Sequence, residues 1–104
     1  MKNLLSYILL FSISMVNAQE KQTIYYSNGN KHYEYEIKNG LLTGGFTCYY
    51  ENGRIMMNGS LDNNQKIEEW KAWDQHGILR EVRNYKPGNQ FQIVNEWDEK
   101  NNQI

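Results

Sequence analysis

The chain has little with which to lock or punctuate itself: one cysteine, one proline, and no charge excess, with 11 basic against 12 acidic side chains in 104 residues. A lone cysteine excludes an intramolecular disulfide and a cysteine-rich metal site. Cys48 reads as a small apolar side chain, because its counterpart 24 residues on is Ala72. Balanced charge without a basic run excludes nucleic acid as a partner. Beyond residue 18 no apolar run approaches the roughly 20 residues that span a bilayer, so no transmembrane segment is expected after it. His32 and His76 stand 44 residues apart with no recurring ligand beside them. No metal and no cofactor is therefore expected.

Residues 1–18 are of a different material. Lys2 gives a positive start, Leu4 to Val16 is mostly apolar, and Val16-Asn17-Ala18 offers the small residues that a signal peptidase reads. The segment predicts a cleaved signal peptide, a mature chain from Gln19 with formal charge −2, and a periplasmic or extracellular, cell-surface location. A lipid anchor would need cysteine where Gln19 stands.

What the chain does have is a repeat. Gly29, Gly53 and Gly77 lie 24 residues apart, each closing a turn-like dipeptide: Asn28-Gly29, Asn52-Gly53 and His76-Gly77. Just upstream are Tyr25-Tyr26, Tyr49-Tyr50 and Trp73-Asp74, and one period further Trp97-Asp98. Phe46 maps to Trp70 and Val94, Ile55 to Leu79, and Ile37 to Leu61 and Tyr85. Agreement at so many phases without a gap identifies tandem units. They run over about 24–44, 45–68, 69–92 and a partial 93–98, so the repeat domain spans 19–98 and a polar tail follows at 99–104.

Within the central unit two runs of β-formers flank Asn52-Gly53, a strong hairpin signal of the type I′ turn. Two loop residues would pair Glu51 with Arg54, Tyr50 with Ile55, Cys48 with Met57 and Phe46 with Gly59. One face then carries Phe46, Cys48, Tyr50, Ile55, Met57 and Leu61, the other Thr47, Tyr49, Glu51, Arg54, Met56 and Asn58. Residues 38–44 and 62–66 read as outer loops. Lys66 to Trp73 has helix formers but occupies a strand slot of the repeat, so it is assigned to strand. The fold expected is all-β: a meander of tandem hairpins, six to seven strands in one twisted antiparallel sheet.

GFTCYYENGRIMMNG and EWKAWDQHGILREVRNY resemble the bacterial variant of the MORN repeat, grouped with YwqK-type antitoxin-related proteins. Gly45, Phe46, Tyr49, Tyr50, Asn52 and Gly53 match one unit; Trp70, Trp73, Gly77, Tyr85 and Gly88 match the next. Glu69, Asp74 and Leu61 depart from the pattern. The resemblance covers roughly 24–98 and implies a hairpin array for protein or membrane-surface contact, with no catalytic set to carry over. Its antitoxin label implies a cytoplasmic toxin partner, which the export signal contradicts.

No nucleophile motif or phosphate loop is present. The carboxylates Glu34 and Glu36 would share one strand face; a small hydrolase would need them across a cleft with one carboxyl pKa raised. The feature that points to binding is the column Tyr25, Tyr49, Trp73 and Trp97, at one phase and opposite Phe46 and Trp70. Its members are expected about 9.6 Å apart, two strand spacings of ~4.8 Å. Such rings either stack on sugars or a partner's apolar groups, or form a second packed face. The expected function is non-enzymatic contact with a protein or envelope component, with self-association through a sheet edge. The alternatives are an antitoxin-like inhibitor of a protein partner, or a small cell-wall glycan-binding or hydrolytic protein.

Overall fold

The computed structural model describes residues 19–88 and 90–97. The expected signal peptide at 1–18 and the tail at 99–104 lie outside the described residues. The rest is all-β. Seven strands follow in chain order: β1 Glu20–Tyr25, β2 Lys31–Lys38, β3 Leu41–Tyr49, β4 Ile55–Asp62, β5 Gln65–Trp73, β6 Leu79–Lys86 and β7 Gln90–Glu96. They form a single antiparallel sheet in the order β1-β2-β3-β4-β5-β6-β7, each strand packing mainly on its chain neighbours. Lys66 to Trp73 is strand, as its place in the repeat requires. No described helix is long and apolar enough to cross a membrane, which leaves β-barrel insertion untouched.

The 24-residue period is visible in the turns themselves. Gly29, Gly53 and Gly77 donate to Tyr26, Tyr50 and Asp74 carbonyls at 3.0, 3.0 and 3.1 Å. Tyr26, Tyr50 and Asp74 in turn donate to Asn30, Arg54 and Ile78 carbonyls at 2.8, 2.8 and 2.9 Å. The turn type differs from the expectation. Gly53 has φ 91 while Asn52 is not among the positive-φ residues, so this is a type I turn closed by a left-handed glycine, not type I′. Consequently Tyr49, not Tyr50, pairs with Ile55, and Glu51 does not pair with Arg54. Ile55 therefore belongs to Tyr49's side of the sheet, while Cys48↔Met57 and Phe46↔Gly59 stand as expected.

Type I′ geometry occurs at the opposite ends of the strands. Asn39 and Gly40 have φ 53 and 76, and Asn63 and Asn64 have φ 47 and 68. Lys38↔Leu41 and Asp62↔Gln65 close them as two-residue turns. The outer loops expected at 38–44 and 62–66 are thus mostly strand. Loop-like glycines at 44 and 45 instead belong to a bulge, opposite the register shift between Tyr35 and Ile37.

The apolar core lies on the Phe46 face. Leu61, Trp70 and Tyr85 are buried there, with Leu42, Phe46 and Met57 packed against them. Cys48 is buried too, beside Met56, and Val82 is the fifth buried hydrophobic side chain. A row of rings crosses this part of the sheet: Tyr33–Phe46, Phe46–Trp70, Trp70–Tyr85 and Tyr85–Phe91, with centroids 5.9, 5.7, 6.2 and 5.3 Å apart. Those separations are the ones tilted and edge-on aromatic pairs favour. Lys66 Nζ sits 5.0 Å over Trp70 and 5.3 Å over Tyr85, screening the core on its wet side.

Candidate functional site

Along the edge formed by the glycine turns, the first hairpin is tied to the second and the second to the third by side chains that reach backbone carbonyls. The Tyr26 hydroxyl donates to Tyr49 O at 2.6 Å, and the Tyr50 hydroxyl to Trp73 O at 2.8 Å. Asn28 Nδ2 donates to Glu51 O and Asn52 Nδ2 to Gln75 O, both at 3.0 Å. The same two asparagines accept from the N–H groups of Asn30 and Arg54 at 2.9 and 3.0 Å, fixing their own turns. In the third unit Asp74 takes the tyrosine's place and has no proton to pass on. It binds inward instead, accepting from His76 and Ile78 N–H at 2.9 and 3.1 Å and from Arg80 Nε and Nη2 at 2.9 and 2.7 Å. Burial works against its charge, but these donors outweigh it and hold the carboxyl below its ordinary range.

The four residues of the aromatic column do not share one environment. Tyr25, on edge strand β1, is exposed; Tyr49, Trp73 and Trp97 are half-buried. The Tyr49 hydroxyl donates to Glu34, whose strand neighbour across the sheet is Thr47, so Tyr49 lies on the face away from Phe46. Lys21 and Lys31 each stand 3.5 Å from the other Glu34 oxygen. The Tyr49 bond, against the effect of burial and with help from the two lysines, lowers the Glu34 pKa. The same bond pushes Tyr49 up to about 12. Trp73 has no hydroxyl for such a bond. The residue one period after Glu34 is Asn58, and it turns to Thr47 Oγ1 at 2.9 Å.

Glu34 and Glu36 do line one shallow depression, with Lys21, Tyr35, Gly45 and Thr47. Glu36 is engaged by the Gln19 amide and the Gly45 N–H. A carboxyl pinned as the anion, as Glu34 is, is the reverse of what a general acid needs. His32 stacks between Tyr26 and Tyr33, with centroids 4.0 and 3.9 Å away, and His76 stands in the third turn. Among the described residues no group of three or more histidine, cysteine, aspartate or glutamate side chains could hold a metal.

The sequence reading named a sheet edge as a contact but did not single out the apolar side chains that the outer strands carry. Of the six large apolar side chains exposed among the described residues, Ile24 and Tyr25 lie on β1 and Phe91, Ile93 and Val94 on β7. The signal was available: Gln90 to Glu96 holds no lysine, arginine or proline, the residues that guard a free edge. No family model, no curated protein and no solved structure matches the chain.

Proposed function

We propose that this chain is an exported, non-enzymatic repeat module of the MORN-variant kind that engages a protein or cell-envelope component through its open sheet, with β7 as the foremost contact. The observation that carries this reading is the concentration of exposed apolar side chains on the outer strands. An outer strand presents a row of N–H and C=O groups with no neighbour, and a partner strand laid against it satisfies them while covering Phe91, Ile93 and Val94. β1 is the poorer candidate, since Glu20 and Lys21 occupy its start. The resemblance to MORN-variant units supports a contact role, and the character of residues 1–18 supports export. A second copy of the chain can supply the same partner strand.

The test is capture from envelope extract by the wild-type chain and by Ile93→Lys, with light scattering on both. A captured species, or a dimer, that is lost on placing a cation in β7 is the expected result. Capture and mass unaffected by Ile93→Lys would overturn the role of β7.

A further inference from the structure

Between the second and third glycine turns lies an open groove of about 410 Å³, lined by Gly53, Arg54, Ile55, Trp73 and Gly77. The groove is shallow and open on one side, so a ligand here lies against the surface and is not enclosed. We infer that this groove binds an acidic sugar, Arg54 pairing with its carboxylate and Trp73 receiving the apolar face of the ring. The assignment rests on the contact-module reading above and names the chemistry of one patch within it.

The repeat provides its own internal reference. In the preceding interval the corresponding positions are consumed: Asn30 Nδ2 donates to Glu51 O at 2.7 Å, Lys31 pairs with Glu34, and Tyr49 bonds the same carboxylate. One period later Asn30 becomes Arg54, Lys31 becomes Ile55, Tyr49 becomes Trp73 and Glu34 becomes Asn58. The carboxylate has gone from the interval and a guanidinium has entered it. None of the described ion pairs includes Arg54. The one carboxylate of the third turn, Asp74, is already held by two nitrogens of Arg80. Across three phases the paired Lys31 and Glu34 become the neutral Ile55 and Asn58 while the neutral Asn30 becomes Arg54, and the one positive charge left over is complementary to a carboxylate brought from outside.

The scaffold suits a flat ring. Gly77 leaves the space that Arg54 crosses, since a methyl there would fall 3.3 Å from Nη1. The backbone of Trp73 is fixed by the Tyr50 hydroxyl. A peptide added as a strand is disfavoured here, because the turn N–H groups are taken: Gly53 and Gly77 by carbonyls, Arg54 and Ile78 by side chains. A saccharide needs no such ladder; its C–H face packs on an indole and its carboxylate takes the guanidinium fork.

The test is an NMR titration with cellobiouronic acid, its neutral isostere cellobiose, and acetate, following the Trp73 indole N–H and the Gly53 and Gly77 amides. We expect the acid to bind about tenfold tighter than cellobiose, the worth of one charge-assisted pair. Arg54→Gln should erase that preference, Arg54→Lys should retain part of it, and Trp73→Ala should weaken both sugars. Equal binding of acid and cellobiose to the wild-type chain would overturn the assignment, and needs no variant to fold. So would shifts produced by acetate as readily as by the disaccharide, or no shift at Trp73. A null titration leaves capture through β7 intact, and loss of capture leaves the titration intact, so the two proposals fail separately.

Discussion

The indole of Trp70 lies directly over Gly59, so close that a methyl group at Gly59 would fall 2.1 Å from Cδ2. Trp70 is the most buried of the core residues, and its Nε1 donates to Ser60 O and Ile67 O at 3.0 and 3.2 Å. One period earlier the position of Gly59 is Tyr35, paired with Phe46, and beside the wider indole that side chain is absent altogether. Gly59→Ala should therefore cost about 3 kcal/mol, at the upper end of overpacking effects, because the ring can leave only by surrendering both hydrogen bonds. Urea unfolding followed by tryptophan fluorescence checks it.

Glu68 stands in β5 at φ 59, one period after Gly44 at φ 114, both in bulges of odd-numbered strands. Glutamate in left-handed conformation is strained where its repeat counterpart is not. Glu68→Gly should raise stability by about 0.5 to 1 kcal/mol, the relief of strain less the added freedom of the unfolded chain. Gly44→Ala should do the opposite by about 2 kcal/mol, since its Cβ would also fall 2.5 Å from Gln19 Nε2 and 2.6 Å from Glu36 Oε2. Thermal unfolding of the two variants gives the comparison.

The Tyr50–Trp73 bond joins the second hairpin to the third, and Asn52–Gln75 lies beside it. Tyr50→Phe should cost about 1 kcal/mol, and Asn52→Ala a similar amount. If both clamp the same two turns, the double variant will lose less than the sum. A double-mutant cycle in urea measures that coupling.

The Tyr49–Glu34 pair makes stability depend on pH at both ends. Glu34 has a lowered pKa in the folded chain, so its contribution is present above the ordinary carboxylate value of 4.5 and is lost as pH falls through the folded value. Tyr49 is raised from 10.0 to about 12, so its contribution is full below 10.0 and disappears as pH rises towards about 12. Tyr49→Phe should flatten the alkaline limb and weaken the acid one, and Glu34→Gln should flatten both. Melting temperature measured from pH 2 to 12 tests this, the limits being set by the two groups.

How far the sequence could be read depended on what kind of partner each residue has. The spacing of Gly29, Gly53 and Gly77 was legible because left-handed backbone calls for glycine at each copy. Turn type was not. Asn39-Gly40 and Asn52-Gly53 are the same dipeptide, yet only the first has both residues at positive φ. The number of residues between the flanking strand pairs decides this, and no local preference reveals it. The tyrosine clamps were hidden for a related reason: Tyr26 and Tyr50 bond backbone carbonyls 23 residues ahead, and a carbonyl carries no sequence signature. The Arg54 groove becomes visible only on comparing corresponding positions of two intervals, Asn30, Lys31 and Glu34 against Arg54, Ile55 and Asn58.

The measurement that bears most directly on the account is the set of cross-strand Hα–Hα and amide contacts in a NOESY spectrum of the folded chain. An open array of 24-residue hairpins requires Met57 to contact both Cys48 and Ala72, Tyr85 to contact Phe91, and the turns at Gly29, Gly53 and Gly77 to give one shared pattern. Contacts between β1 and β7, which would close the sheet and remove its free edges, or helical contacts within β5, would contradict it.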